Sequence, residues 1–197
     1  MLNSMKKISL ILIGALALGL VAIQVFVPER QPAPPPTTSV EVTLQQIYTQ
    51  SLHGVVPGDS DRAVFRFCVS VAPTGGDIYL DGDPAAGPSA SGGIVWSFGP
   101  ESKPNLLTVD GAVVTAAGPL FSADYPSPPG RRHLLIRDGD SRTFAITVSV
   151  SALADRAAAG IRLDAIHWRD SPDSQTARRV ALDPDEFSTQ TVALFTR

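Results

Sequence analysis

Arg62-Ala-Val-Phe-Arg-Phe-Cys-Val-Ser-Val71 decides the fold. Ala63, Phe65, Phe67, Val69 and Val71 fall on alternate positions, and Arg62, Val64, Arg66, Cys68 and Ser70 fall between them. Side chains of a strand point alternately to its two faces, so this spacing predicts a strand with one buried face and one wetter face. The same grammar returns at Arg142–Val150 (RTFAITVSV), with Phe144, Ile146, Val148 and Val150 in phase, and at Thr38–Leu44 (TSVEVTL), with Val40, Val42 and Leu44 in phase. Helical spacing of three and four residues is scarce between these runs.

Further segments extend the pattern. Asp77–Asp81 and Gly93–Phe98 are short strand candidates on either side of a Gly/Pro/Ser/Ala-rich loop at 82–92. Asn105–Thr115 (NLLTVDGAVVT) predicts a hairpin turning at Asp110-Gly111, because Asp-Gly suits tight hairpin turns. Arg132–Arg137 is a further strand candidate. Ser151–Ala159 (SALADRAAA) is alanine-rich and stops at Gly160, which predicts one helical turn. Ile161–Trp168 (IRLDAIHW) changes parity between Leu163 and Ile166, which predicts a bulge. Phe187–Phe195 closes the series. Residues 44–53 fit either element, with context favouring strand. Eight or nine short strands, together with 17 prolines and 16 glycines, predict an all-β protein built as an antiparallel β-sandwich.

The N-terminus is of another kind. Residues 8–27 (ISLILIGALALGLVAIQVFV) carry no charge and follow Lys6 and Lys7. At about 1.5 Å per residue such a helix spans roughly 30 Å, the hydrocarbon thickness of a bilayer. Flanking lysines tend to stay cytoplasmic, which places the bulk of the chain on the far side. Five prolines between Pro28 and Thr37 form a stiff spacer. The expected organisation is a cytoplasmic start at 1–7, a transmembrane signal anchor at 8–27, a Pro-rich linker at 28–37 and an extracytoplasmic domain at 38–197. The alternative is secretion after cleavage near Ala15-Leu16-Ala17, although the apolar run is longer than a signal core requires. The net charge of −3 becomes −5 without the two anchor lysines, which argues against nucleic acid as a partner. The single cysteine, Cys68, excludes an internal disulfide and leaves an inert half-buried thiol or an intermolecular bridge.

The stretch Ile136-Arg-Asp-Gly-Asp-Ser-Arg-Thr-Phe-Ala-Ile-Thr-Val148 resembles a penultimate hairpin of bacterial immunoglobulin-like domains. Together with FRFCVSV, GGDIYLD, RLDAIHWRDS and FSTQTVALFTR, it resembles uncharacterised bacterial surface proteins that carry one N-terminal membrane helix. The resemblance spans roughly residues 60–195. It implies an immunoglobulin-like sandwich displayed outside a membrane, without the Cys…Trp…Cys signature of antibody domains. It implies no activity.

Candidate chemistry is sparse. Asp81-Gly82-Asp83 and Asp138-Gly139-Asp140 could supply calcium ligands from Asp81, Asp83, Asp138 and Asp140, with Asp77, Asp170, Asp173, Asp183 and Asp185 in reserve. The competing reading makes each Asp-Gly a tight turn. His53, His133 and His167 stand in no metal-ligand spacing. There is no G-x-S-x-G elbow and no P-loop. Trp96, Trp168, Tyr79 and Tyr125 suit either a binding face or the core. The expected protein is a non-enzymatic module of the cell envelope, held to lipid through residues 8–27, that binds an envelope protein or glycan. The alternatives are a subunit of a larger membrane or surface assembly, homo-oligomers included, and an extracytoplasmic hydrolase or metal-dependent enzyme.

Overall fold

The computed structural model describes residues 37–56, 58–116, 125–127 and 131–196, with the side chains of 125–127, 131 and 132 left aside. Residues 1–7 and 8–27, and the linker apart from Thr37, lie outside the described residues. Among the described residues no helix is long and apolar enough to cross a membrane.

Thirteen strands and one 3₁₀ turn, Pro104–Leu106, make up the described structure. A four-stranded antiparallel sheet has the order β1 (Ser39–Leu52), β2 (Arg62–Thr74), β9 (Arg142–Ala152), β6 (Leu107–Ala116). The opening stretch lies in β2, and its odd positions are wholly buried. Phe65, Phe67 and Val69 stand opposite Val148, Ile146 and Phe144 of β9, so the two alternating runs share one buried face.

A larger sheet runs β4 (Pro84–Ala86), β5 (Ile94–Phe98), β11 (Ile161–Arg169), β3 (Ile78–Asp81), β8 (Arg131–Ile136), β7 (Tyr125–Ser127), with β12 (Arg178–Ala181) also on β11. Its pairs are antiparallel except β4 with β5. A small pair, β10 (Ala157–Ala159) with β13 (Val192–Leu194), completes the set. Ile78, Leu80, Ile136, Ile166 and Trp168 of the larger sheet join Phe65, Phe67, Ile146 and Val148 of the smaller one in a single apolar core. At roughly 25 cal/mol per Å² of apolar surface buried, this shared core is the dominant favourable term in folding.

Four local expectations meet the structure with different outcomes. The parity change in β11 is a bulge between Leu163 and Ala165, as its spacing predicts. Asp110-Gly111 is not a hairpin turn. The chain runs straight through it as β6, with a register shift between Val109 and Gly111. Asp110 turns its carboxylate onto Ser151 Oγ at 2.6 Å and Arg62 Nε at 2.9 Å, and these cross-strand bonds hold the extra residue in a bulge. Ser151–Ala159 is not helical either. Ser151 and Ala152 finish β9, and Ala157–Ala159 form β10 against β13, burying Ala157 and Ala159. Tertiary pairing outweighs the small helical preference of a few alanines. Likewise the closing segment is strand over Val192–Leu194 rather than from Phe187, whose ring is buried in the core.

Candidate functional site

β3 ends at Asp81, and two neighbouring strands bring a base to it. Asp81 is the register partner of His133 on β8, and Tyr79, two residues back, is the partner of Arg169 on β11. Residues directly opposite share a face, as do residues two apart along a strand. Asp81, His133 and Arg169 therefore converge on the face turned away from Leu80, Leu134 and Trp168 of the core. All three are at least nine-tenths buried. Arg169 donates from Nε to Asp81 Oδ1 at 3.1 Å and from Nη2 to Oδ2 at 3.4 Å, a forked contact that balances the carboxylate's charge. His133 Nε2 lies 2.8 Å from Oδ1, off the line of a hydrogen bond; its Nδ1 has no partner among the described residues.

Loops cover this cluster. The Gly93 N–H points to Asp81 Oδ2 at 3.4 Å, and the Gly93 carbonyl receives the backbone N–H of His167 at 3.0 Å, with His167 Nδ1 at 3.1 Å. Arg169 Nη1 donates to the Ser174 carbonyl. Gly93 sits at φ +77°, and a Cβ there would collide with the Asp83 carbonyl oxygen. Between Asp81 and the 83–93 loop lies a half-open cleft of about 320 Å³, walled by Asp83, Ala85, Ser91 and Gly92 among others. Its lining includes two carboxylates and a serine hydroxyl, with no imidazole or thiol.

A second acid–imidazole pair closes the opposite part of the molecule. Asp61 is fully buried. Its carboxylate accepts from the backbone N–H of Gly54 at 3.2 Å and of Phe195 at 3.2 Å, and faces His53 Nδ1 at 3.1 Å. Burial alone would raise its pKa; the bonds from His53, Gly54 and Phe195 outweigh it and hold the carboxyl below its ordinary range.

The four aspartates of the two DGD triplets are not brought together. β3 and β8 are antiparallel, with Asp81 beside His133 at one end and Ile78 beside Ile136 at the other. Asp138 lies beyond that second end, about 17 Å along the strands by their rise per residue. There Asp138 accepts from the Gly75 N–H, and its own N–H donates to Asp77, while Gly139 takes φ +76°. This triplet is a turn. Asp81 is engaged by Arg169 and Asp170 by Arg178, and Asp183 bonds the backbone N–H of Asp185. Among the described residues no group of three or more His, Cys, Asp or Glu stands close enough to hold a metal ion. Trp96 and Trp168 belong to the core, and Cys68 is a half-buried free thiol on the face of β2 opposite Phe67. The Asp81–His133–Arg169 cluster escaped sequence reasoning because its members are 52 and 36 residues apart and only strand register joins them.

The outer edge of β1 offers another kind of surface. β1 is fourteen residues long and, among the described residues, pairs with β2 alone. Glu41 is its one charged residue, and it contains no proline, glycine or lysine. Edges are ordinarily blunted by such residues because their free N–H and C=O groups recruit other strands. Beside its C-terminal half opens a cleft of about 520 Å³, walled by Ile47, Thr49 and Ser51 on β1 and by Ser188, Gln190 and Val192 across from them.

The chain matches no protein-family profile, no curated protein and no solved structure.

Proposed function

We propose that this chain is a non-enzymatic, membrane-tethered extracytoplasmic module, an immunoglobulin-like β-sandwich that engages a protein partner by strand addition at β1. The outer edge of β1 carries this reading. It presents a long run of backbone donors and acceptors with a half-apolar cleft beside them, the two elements that strand addition uses for affinity and specificity. An edge of this kind recognises an extended polypeptide rather than a glycan, because the ladder is made by main-chain groups. The apolar segment at 8–27 and the proline spacer at 28–37 support an anchor that holds the domain off the lipid.

The test uses the full chain in intact cells. A photo-crosslinking side chain at Tyr48, on the exposed outer side of β1, captures a protein partner, whereas the same group at the exposed Ser89, on the loop after β4, does not. Protease added outside the cells removes the domain, and alkaline extraction leaves the anchor in the membrane. Capture from both positions alike, or a domain shielded from external protease in intact cells but cleaved once they are opened, overturns the reading.

A further inference from the structure

β1 is symmetrical in a way that its sequence does not announce. From Ser39 to Leu52, exposed and half-buried residues alternate, except at the centre, where Gln45 and Gln46 are both exposed. The break is the bulge between Leu44 and Gln46, which moves the inward-facing set from even positions (Val40, Val42, Leu44) to odd ones (Ile47, Thr49, Ser51). The resulting order reads identically from either end.

An unbroken strand pairs with its own copy in many registers. A strand that changes parity at its midpoint does not. Antiparallel self-pairing must set inward residues against inward residues, because a slip of one flips every side chain to the wrong face. With the two-fold axis between Gln45 and Gln46, Leu44 meets Ile47, Val42 meets Thr49 and Val40 meets Ser51, while Thr43 meets Tyr48 and Glu41 meets Gln50. All fourteen positions then match in exposure. A slip of two residues sets Gln46 against Ile47 or Leu44 against Gln45, an exposed residue against a half-buried one at the centre.

We propose that the partner at β1 is a second copy of this chain, paired antiparallel about an axis at the Gln45–Gln46 bulge. The inference rests on strand addition at β1 and names its occupant. Two further features fit that occupant. The cleft beside Ile47, Thr49 and Ser51 receives Val42 and Leu44 of the copy, the apolar half of the strand filling the space left by the more polar half. The single charge lies off the axis, so the two Glu41 carboxylates stand about 30 Å apart along the ladder, beyond the screening length of physiological salt. Self-complementary two-fold contact is the commonest symmetry of soluble oligomers. The result is an eight-stranded sheet continuous through two molecules.

Cysteine crosslinking reads the register directly. Full-length chains carrying Cys68→Ser are made with either Thr43→Cys or Tyr48→Cys, differently tagged, and co-expressed. Both positions are exposed, so the fold survives the substitutions. Disulfide-linked heterodimers are expected from the Thr43→Cys and Tyr48→Cys pair, at several-fold higher yield than from Thr43→Cys with Gln50→Cys, which samples the register slipped by two. Light scattering of the same chains in detergent should give the mass of a dimer. Equal yields from both pairs, or a monomer with no disulfide from either, overturn self-pairing. The photo-crosslinker at Tyr48 separates the two levels: capture of a different protein with no self-crosslink refutes self-pairing while strand addition stands, and no capture at all refutes both.

Discussion

Asp81 and Arg169, 88 residues apart in sequence, lie side by side on adjacent strands, with both oxygens of the one facing the fork of the other. The pair is buried outside the apolar core, between the larger sheet and the loops that cross it. Removing water from two charges costs several kcal/mol per ion, and only mutual attraction and the remaining hydrogen bonds offset it. The pair fixes the 93 and 174 loop positions in space more than it adds to stability.

Cutting one partner away should therefore be far worse than removing both. Arg169→Met leaves a buried carboxylate and is expected to cost about 3–5 kcal/mol in urea unfolding. The double variant Asp81→Leu with Arg169→Met is expected to regain most of that loss. If the double variant is as unstable as the sum of the singles, the two groups act independently.

Gly93 holds its loop against Asp81 in a left-handed conformation that side chains resist. Gly93→Ala brings a Cβ onto the Asp83 carbonyl oxygen and should destabilise by roughly 1–3 kcal/mol or more. Gly87 has a similar φ of +95° but open space around it, so Gly87→Ala should be milder in the same thermal melt.

The Asp61 carboxyl gives a defined acid limb. Its folded pKa is depressed below the reference 3.8, so its stabilising contribution is complete above that value and is lost as pH falls through the folded pKa. Stability of the wild-type domain should thus decline below about pH 4. Asp61→Asn should lower stability at neutral pH and flatten this limb. A limb of unchanged slope in the variant would show that other carboxylates dominate acid unfolding.

Calcium should leave the melting temperature where chelator leaves it. Asp81 is committed to Arg169, and Asp138 lies beyond the far end of the same strand. A rise in melting temperature on adding millimolar calcium would reveal a site formed from other residues.

How far the fold was legible follows from range. Alternation in Arg62–Val71 and Arg142–Val150 gave two central strands, because burial on one face writes a period of two into the sequence. The β11 bulge was legible for the same reason, as a break in that period. Asp110-Gly111 reads as a turn because Asp-Gly favours tight turns and also tolerates a bulge; only Ser151 on the adjacent β9 and Arg62 on β2 beyond it decide between them. Ala157–Ala159 was misread because β10 exists through β13, more than thirty residues later. The Asp81 cluster was half visible: Asp81 was singled out, but as a ligand for calcium. Nothing local marks His133 or Arg169 as its neighbours. The symmetry of β1 was hidden too, since Gln45 and Gln46 read as ordinary polar residues until the register with β2 exposes the parity change.

The bond from Phe195 to Asp61 sets an order of events. Ser60 bridges to Thr196, the Asp61 N–H donates to the Phe195 carbonyl, and the Phe195 N–H returns to the Asp61 carboxylate, across 134 residues. Synthesis runs from the N-terminus, so β1 and β2 leave the ribosome well before residue 195, and that carboxylate must wait in water for a partner made 134 residues later. This seam therefore closes only once residue 195 is available, and a nascent chain halted before it would keep an unfinished seam open to proteases.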